Sequence, residues 1–468
     1  MIDNNEIVSN GAIFYLRKVY MEFKQDLKKI ATTMIPVLIA QLSMVGMNFM
    51  DSTMSGHVSA DDLAGVAVGA GLFMPVLTCS LGILSASTPI IAQLVGRKEN
   101  EKIPYVVRTG ILLGIIIALI FATAYVLFID NIMNALALTP PVEKIARMYL
   151  LAMVVAVFFQ APLISIRALT DTVQGTALSM KLFLTALPVN GLLNYLFIFG
   201  AFGMEGYGGV GAGIATAITY MLVLGMFLFV IRQDPVFQSK KIFSGLKTYI
   251  RDWKEYCEIG IPNGLGIFME TSLFGFLIIF MAKFGTVAIG SYQAALNFSN
   301  LIYTIPLSCS IAMTILIGVE VGAGRYKKAK KYGRCGIALT LAIAVITLIS
   351  TIAFRSYIAR LYSNEAEVLE LVAQFLVYCA CWQMFDAVAA PIQGILRGYK
   401  DVKIPFIMMV IAYWCVCLPV GLIMDHVFNH GPFAYWQGLV SGVGASATLL
   451  TARLIYLERK YGKFKSTN

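Results

Sequence analysis

Twelve uninterrupted apolar runs divide this chain, and they limit its fold more than any other feature. They lie at roughly 31–55, 64–95, 103–128, 145–166, 176–199, 208–231, 258–282, 288–318, 332–354, 367–395, 404–424 and 436–457. As helix at about 1.5 Å per residue, each can cross the roughly 30 Å of a bilayer's hydrocarbon. A membrane β-barrel is excluded, because its strands are short and alternate apolar with polar residues. Composition agrees. Only 13% of the 468 residues are charged and 58% are apolar, against roughly 25% and about 45–50% in soluble domains. A water-soluble enzyme and a disordered chain are therefore both excluded. The expected fold is an all-α polytopic membrane protein of twelve helices. The first apolar run is a full span behind polar, basic residues, so no cleavable signal peptide is expected.

The basic residues set an orientation. Of 36 Lys and Arg, 31 fall in seven segments on one side: the N-terminal stretch, the loops after helices 2, 4, 6, 8 and 10, and the C-terminal tail. The other side keeps Lys144, Arg147, Lys283, Arg355 and Arg360. Short loops rich in Lys and Arg stay cytoplasmic, so both termini are expected there. The net charge of +10 is thus spread over seven short segments that face lipid headgroups, not gathered into a groove for nucleic acid. The eight cysteines form no Cys-x-x-Cys pair, and there are three histidines. Neither a zinc site nor a disulfide framework is expected.

The two halves repeat. Ile35-Pro36 opens helix 1 and Ile261-Pro262 opens helix 7, an offset of 226. Thr88 to Gly96 in helix 2 and Thr314 to Gly322 in helix 8 keep the same offset of 226. Six helices per half leave matched helices pointing the same way, so the repeats are parallel about an axis along the membrane normal. The predicted organisation is a cytoplasmic segment at 1–30, an N-lobe at 31–231 and a linker at 232–257. A C-lobe at 258–457 and a tail at 458–468 follow. Two six-helix lobes about a central cavity suit alternating access. No pore loop indicates a channel. No reactive constellation indicates a membrane enzyme, and no phosphate-binding loop ends in Lys-Ser/Thr.

An ionised carboxylate at mid-bilayer costs at least about 2.5 kcal/mol, so it needs a cavity, a partner or a proton. Asp51 lies late in helix 1 with Asn48 and Ser55 nearby. Such a cluster can hold a cation or share a proton, or Asp51 is a plain helix-end carboxylate. Glu270 lies in mid-helix 7, where it either couples to an ion or makes an interhelical hydrogen bond. Asp386 lies in mid-helix 10, with Trp382 four residues earlier on the same face and Tyr378 extending it. An acid beside aromatic rings can hold a lipophilic cation. Glu270 and Asp386 together form a candidate sodium site, and a proton is the alternative. Asn190 and Asn194 share a face of helix 5, and Gln41 and Asn297 are further polar candidates that interhelical hydrogen bonding explains equally well. Glu320 sits near a basic loop as an expected ion-pair partner.

These stretches resemble the multidrug and toxic compound extrusion (MATE) transporters, specifically the bacterial NorM-type branch. The resemblance is carried by Met50-Asp-Ser-Thr-Met-Ser-Gly56, Thr88 to Arg97, Pro188-Val-Asn-Gly-Leu-Leu-Asn-Tyr195, Ile261-Pro-Asn-Gly with Glu270, and Phe385-Asp386 followed by Gly394-Ile-Leu-Arg-Gly398. It covers nearly the whole chain. It implies export of cationic, amphipathic organic compounds, driven by entry of sodium ions or protons, with no other cofactor. Glu270 and Asp386 resemble the C-lobe cation-site carboxylates of that branch, and Asp51, Asn190 and Asn194 its N-lobe polar site. Relatives with a sodium site often carry tyrosine four residues before the aspartate. Here Trp382 offers an N–H but no oxygen ligand. The expected partners are drug-like organic cations and membrane lipid, and the expected working unit is a monomer. The rival function is a flippase for lipid-linked precursors, which a strongly basic cavity would favour. These helix interiors carry acids instead.

Overall fold

The computed structural model describes residues 4–463 apart from 202, 204, 239–244, 246 and 364, and for 4–20, 462 and 463 only the helical backbone. Lys240, Lys241 and Lys465 of the basic segments lie outside the described residues. The elements are α1 (Asn4–Gly56), α2 (Ala60–Leu84), α3 (Ser87–Arg97), α4 (Ile103–Leu136), α5 (Pro140–Val173), α6 (Ala177–Asn194) and α7 (Gly209–Gln233). A short α8 (Pro235–Gln238) leads to α9 (Ile250–Met281), α10 (Thr286–Gly322), α11 (Tyr326–Arg360) and α12 (Ala366–Gly398). Then come α13 (Lys403–Val410), α14 (Leu418–His426) and α15 (Phe433–Lys463). Among the described residues, twelve helical segments are long and apolar enough to cross a membrane.

The helices outrun the apolar runs that announce them. α11 covers Tyr326–Arg360, where the apolar run is 332–354, and α4 continues to Leu136. Backbone hydrogen bonding carries a helix beyond the hydrocarbon as long as its polar ends find water or headgroups. For the same reason α1 begins in the segment expected at 1–30, α9 begins at Ile250 inside the expected linker, and α15 runs into the expected tail. There Glu458 pairs with Lys330 at 2.8 Å and holds that end of α15 against α11.

Three spans are broken or carry a π turn. The second breaks between α2 and α3 because Pro89 has no N–H to give the Ser85 carbonyl. Thr88 donates to that carbonyl instead, at 3.0 Å. The fifth span ends in a π-helical turn, Tyr195–Phe199, and the eleventh contains another, Ile411–Cys417, between α13 and α14. The two turns fall in equivalent spans of the two halves. A π turn rotates the side chains beside it away from the α-helical register.

The lobes meet through small residues. On α3, Ala92 and Gly96 stand one turn apart, and on α10 Gly318 and Gly322 do the same, at the repeat offset of 226. A Cβ added at Gly318 would lie 2.6 Å from the Ala92 Cβ, and one at Gly322 would lie 2.7 Å from the Gln93 Cα. One added at Gly96 would lie 2.8 Å from the Ala323 nitrogen. Small residues four apart let two helix backbones touch, and here each half supplies one copy. A second crossing sets Gly82 of α2 on Gly264 of α9, where a Cβ would come within 2.7 Å of the facing Cα.

Hydrogen bonds cross at the same level. Gln93 Nε2 donates to the Gly398 carbonyl at 2.9 Å. Asn263 Nδ2 donates to the Gly82 carbonyl at 2.8 Å and to Ser85 Oγ at 2.9 Å. Tyr256 Oη donates to the Leu84 carbonyl at 2.6 Å and sits 3.2 Å from Ser165 Oγ. Lys331 reaches Asp26 at 2.9 Å. All these contacts lie towards the helix ends that carry the basic segments. Tyr256→Phe removes one of the two hydrogen bonds to the Leu84 carbonyl, which keeps its bond from Ser87 Oγ, at a cost of about 0.5–1.5 kcal/mol. Its melting temperature in detergent should fall by several degrees, and an unchanged melt would show that bond to be idle.

Candidate functional site

The N-lobe acid is fully engaged. Asp51 is buried on α1. Asn194 Nδ2 donates to one of its carboxylate oxygens at 2.6 Å, and Thr216 Oγ1 of α7 donates to the other at 2.7 Å. Asn194 also donates to Asn190 Oδ1 at 3.2 Å, and Asn190 donates to Thr219 at 3.4 Å. The site therefore gathers Asp51, Asn190 and Asn194, with Asn194 placed where α6 passes into its π turn. Thr216 and Thr219 were not legible as members. Threonines in membrane helices are common, and which ones face an acid depends on how α7 is rotated.

Two expected companions of Asp51 stand elsewhere. Asn48 is exposed, and Ser55 Oγ donates to the backbone carbonyl of Asp51 at 2.7 Å, not to its carboxylate. Gln41 is half-buried, about 15 Å away along α1 at 1.5 Å per residue. Asn194→Ala would strip one donor from a buried carboxylate, so a loss of about 1–3 kcal/mol of stability is expected. Thermal unfolding in detergent measures it, and Asn194→Asp should be worse, since it sets a second acid against Asp51.

The C-lobe acids are held differently. Glu270 of α9 is half-buried and accepts a hydrogen bond from Tyr413 Oη at 3.0 Å. Tyr413 is in the second π turn. Asp386 of α12 is 4% exposed. Among the described residues, no side chain or backbone group donates to its carboxylate. It lines a narrow cavity of about 10 Å³ with Tyr303 of α10, Thr340 of α11 and Gln383. That is room for about one water or one small ion. The two acids are near enough to repel each other, and Tyr303 lies within reach of both charges.

The aromatic candidates brace this site. Trp382 is buried one turn before Asp386, and Phe274 stands one turn after Glu270. Their ring centroids are 5.5 Å apart. Trp382 Nε1 is buried without a hydrogen-bond partner among the described residues. Tyr378 is a further turn away and tilts against Phe433 at 6.0 Å, so it packs into the lobe core and does not line the cavity of Asp386. Asn297 is exposed on α10. The buried amide near Asp386 is Gln383, which donates to Ser299 Oγ at 3.4 Å. Arg397 escaped notice because it closes a helix in a basic segment. It is in fact half-buried in the last turn of α12, with its charge within reach of Glu270. Glu320 is buried at the end of α10 and pairs with Arg325 at 2.5 Å.

The MatE family profile matches residues 36–196 and 262–423, so its two copies start on Pro36 and Pro262. A probable multidrug resistance protein NorM of Bacillus anthracis is 41% identical over 440 residues, covering 94% of this chain and 97% of that one.

The chain belongs to the MATE family, in its NorM branch.

The NorM of Bacillus subtilis (strain 168) is 39% identical over 443 residues, covering 94% of this chain and 98% of that protein. Among solved structures, the eukaryotic MATE transporter AtDTX14 superposes with a TM-score of 0.83 at 21% identity, over 94% of this chain and 98% of that one. The bent form of the Vibrio cholerae MATE transporter VcmN gives 0.82 at 19% identity, over 94% and 99%. These two likenesses establish the twelve-helix MATE fold. Membership makes the chain a multi-pass membrane protein of multidrug transport and not an enzyme.

Proposed function

We propose that this MATE protein is a secondary active multidrug exporter that moves cationic, amphipathic organic compounds out of the cell in antiport with Na⁺ or H⁺. The observation that carries this reading is Asp386: a buried carboxylate with no hydrogen-bond donor among the described residues, on the wall of a one-ion cavity and within reach of the charge of Glu270. A carboxylate in that position is stable only with a proton or a cation. The C-lobe pair is thus the coupling site, with Glu270 and Asp386 as carboxylate ligands if the ion is sodium. Tyr413, which already touches Glu270, and Tyr303 stand near as hydroxyl groups. Asp51, already saturated by Asn194 and Thr216, organises the N-lobe and responds to protonation by rearranging those bonds.

The basic ends face the cytoplasm of a bacterial inner membrane in this reading, with both termini there. The lobes touch on that side, so this arrangement is closed to the cytoplasm. Binding of the cation from outside favours the outward-open state and releases the drug there, and the lobes then rock inward and the cation leaves to the cytoplasm. Ion and drug exchange because each favours a different state or competes for one site. Lipid surrounds the protein, and one copy contains both lobes and suffices. The test is flux. Purified protein in proteoliposomes should expel ethidium when a sodium or proton gradient is imposed, and should not when neither is present. Gradient-independent leakage, or no movement of an organic cation at all, would contradict the proposal.

A further inference from the structure

The two halves share one more pattern, at the basic ends of their fourth helices. Ile166-Arg-Ala-Leu-Thr-Asp171 closes α5 and Leu396-Arg-Gly-Tyr-Lys-Asp401 closes α12, at an offset of 230. In each, an arginine precedes an aspartate by four residues, the spacing of an ion pair along a helix. The N-lobe makes that pair. Arg167 Nε donates to Asp171 at 3.3 Å, and its guanidinium lies 5.0 Å from the Phe183 ring. The C-lobe does not. Its helix stops at Gly398, and Lys400 takes a left-handed turn at φ 63°. Asp401 is thereby carried off the helix face, where Arg453 of α15 binds it with two hydrogen bonds of 2.7 and 3.0 Å.

Arg397 is left without its acid. Its Nη2 donates to Ser310 Oγ at 2.7 Å, and its Nε is buried with no partner among the described residues. It lines a narrow cavity of about 20 Å³ with Asn263, Gly266 and Ile267 of α9. Gly266 and Ile267 stand one turn before Glu270, on the face that carries it. A guanidinium stays charged in any accessible environment, so a half-buried one needs a counter-charge. The groups around it are Glu270 on α9, Tyr303 on α10, Asp386 further along α12, and the Asp401–Arg453 pair beyond. Asp401 is already spoken for, which leaves Glu270.

We propose that Arg397 is a resident counter-cation of the C-lobe acid pair: it balances Glu270 while no coupling ion is bound, and its repulsion keeps the arriving ion loose enough to leave again. It is a positioning residue that acts through the acids and does not touch the drug. This rests on the reading of Glu270 and Asp386 as the coupling site. Two bare acids side by side would hold a cation tightly and could not return empty. A fixed positive charge beside them makes the empty state stable and the bound state releasable.

The experiment is ethidium efflux from proteoliposomes, titrated with whichever of sodium or protons drives the parent protein. Arg397→Gln should lower the half-saturating ion concentration about five- to tenfold, because a competing charge is gone. It should also lower the maximal rate, because release of the ion slows. A structural role alone would lower the rate with half-saturation unchanged or raised, and that result overturns the proposal. Arg397→Lys, which keeps the charge, should stay within about twofold of the parent. If the glutamine variant does not fold, the lysine variant decides alone, and a tenfold tightening there would refute the proposal. Glu270→Gln supplies the separation. If it leaves ion dependence intact, the coupling-site reading has failed. If it abolishes ion dependence while Arg397→Gln changes no half-saturation, only the present inference has.

Discussion

Glu270→Gln and Asp386→Asn should each cut gradient-driven efflux at least about tenfold, since a tenfold loss needs only about 1.4 kcal/mol of lost coupling. Neither change should unfold the protein. Both amides match the shape of the acids they replace, and Asp386 loses no hydrogen bond, because none from the described residues reaches its carboxylate. Glutamine at 270 keeps an oxygen to accept from Tyr413, now 3.0 Å from the Glu270 carboxylate. What disappears is the negative charge that holds a cation in a cavity sized for one ion. Ethidium binding to detergent-solubilised protein should therefore persist while its response to the ion gradient is lost. The two single changes should also fail to add, because removing either acid dismantles the same site. Efflux that remains fully gradient-dependent in both variants would remove the acids from the mechanism.

The second large effect is expected at the seam between the lobes. Gly96→Val would drive two methyl groups into the α10 backbone, where even a Cβ would come within 2.8 Å of the Ala323 nitrogen. Backbone cannot rotate away as a side chain can. Overpacking of this kind costs about 1–3 kcal/mol, and the lobes can avoid it by parting at their basic ends. Ser87→Cys reports the opening. Ser87 is fully buried at the start of α3, and its hydroxyl donates to the Leu84 carbonyl at 2.9 Å. A membrane-impermeant maleimide applied from the basic face should label that cysteine about tenfold faster when Gly96 is valine. The eight native thiols give the background, measured in protein with Ser87 intact. Equal labelling with and without the valine would show that the glycine contact does not hold this face shut. Gly322→Val, the repeat-related change, should act alike.

Much of this protein is written openly in its sequence. Twelve spans follow from apolar length alone, because lipid demands continuous helix and tolerates few charges. The repeat is legible because Pro36 and Pro262, and Gly96 and Gly322, keep a single offset of 226. The acids Asp51, Glu270 and Asp386 are conspicuous because each sits in a run where a charge is expensive. What each acid touches is another matter. Thr216 and Thr219 are as unremarkable in sequence as any other threonine, and only the rotation of α7 turns Thr216 to Asp51 and Thr219 to Asn190. Asn48 looked nearer, three residues away, and faces outward. The π turn at Ile411–Cys417 aims Tyr413 at Glu270, and it has no signature in an unbroken apolar run. Arg397 was counted among loop charges because a basic residue at a helix end usually meets headgroups. Its fate was decided by Asp401, which the left-handed turn at Lys400 hands to Arg453. Most helices run past their apolar stretches, since polar turns at a membrane surface remain helical, while the fifth span, Ala177–Phe199, stays within its own.

The central claim is that drug and cation move in opposite directions through one coupled site. Driving the exchange backwards tests it most directly. Proteoliposomes would be given an ethidium gradient and no gradient of sodium or protons, and the movement of each ion followed with a sodium isotope and a lumenal pH dye. Ethidium running down its gradient should pull one of the two ions the other way, and Asp386→Asn should abolish the ion flux. Ethidium crossing with no ion moving in return would contradict it.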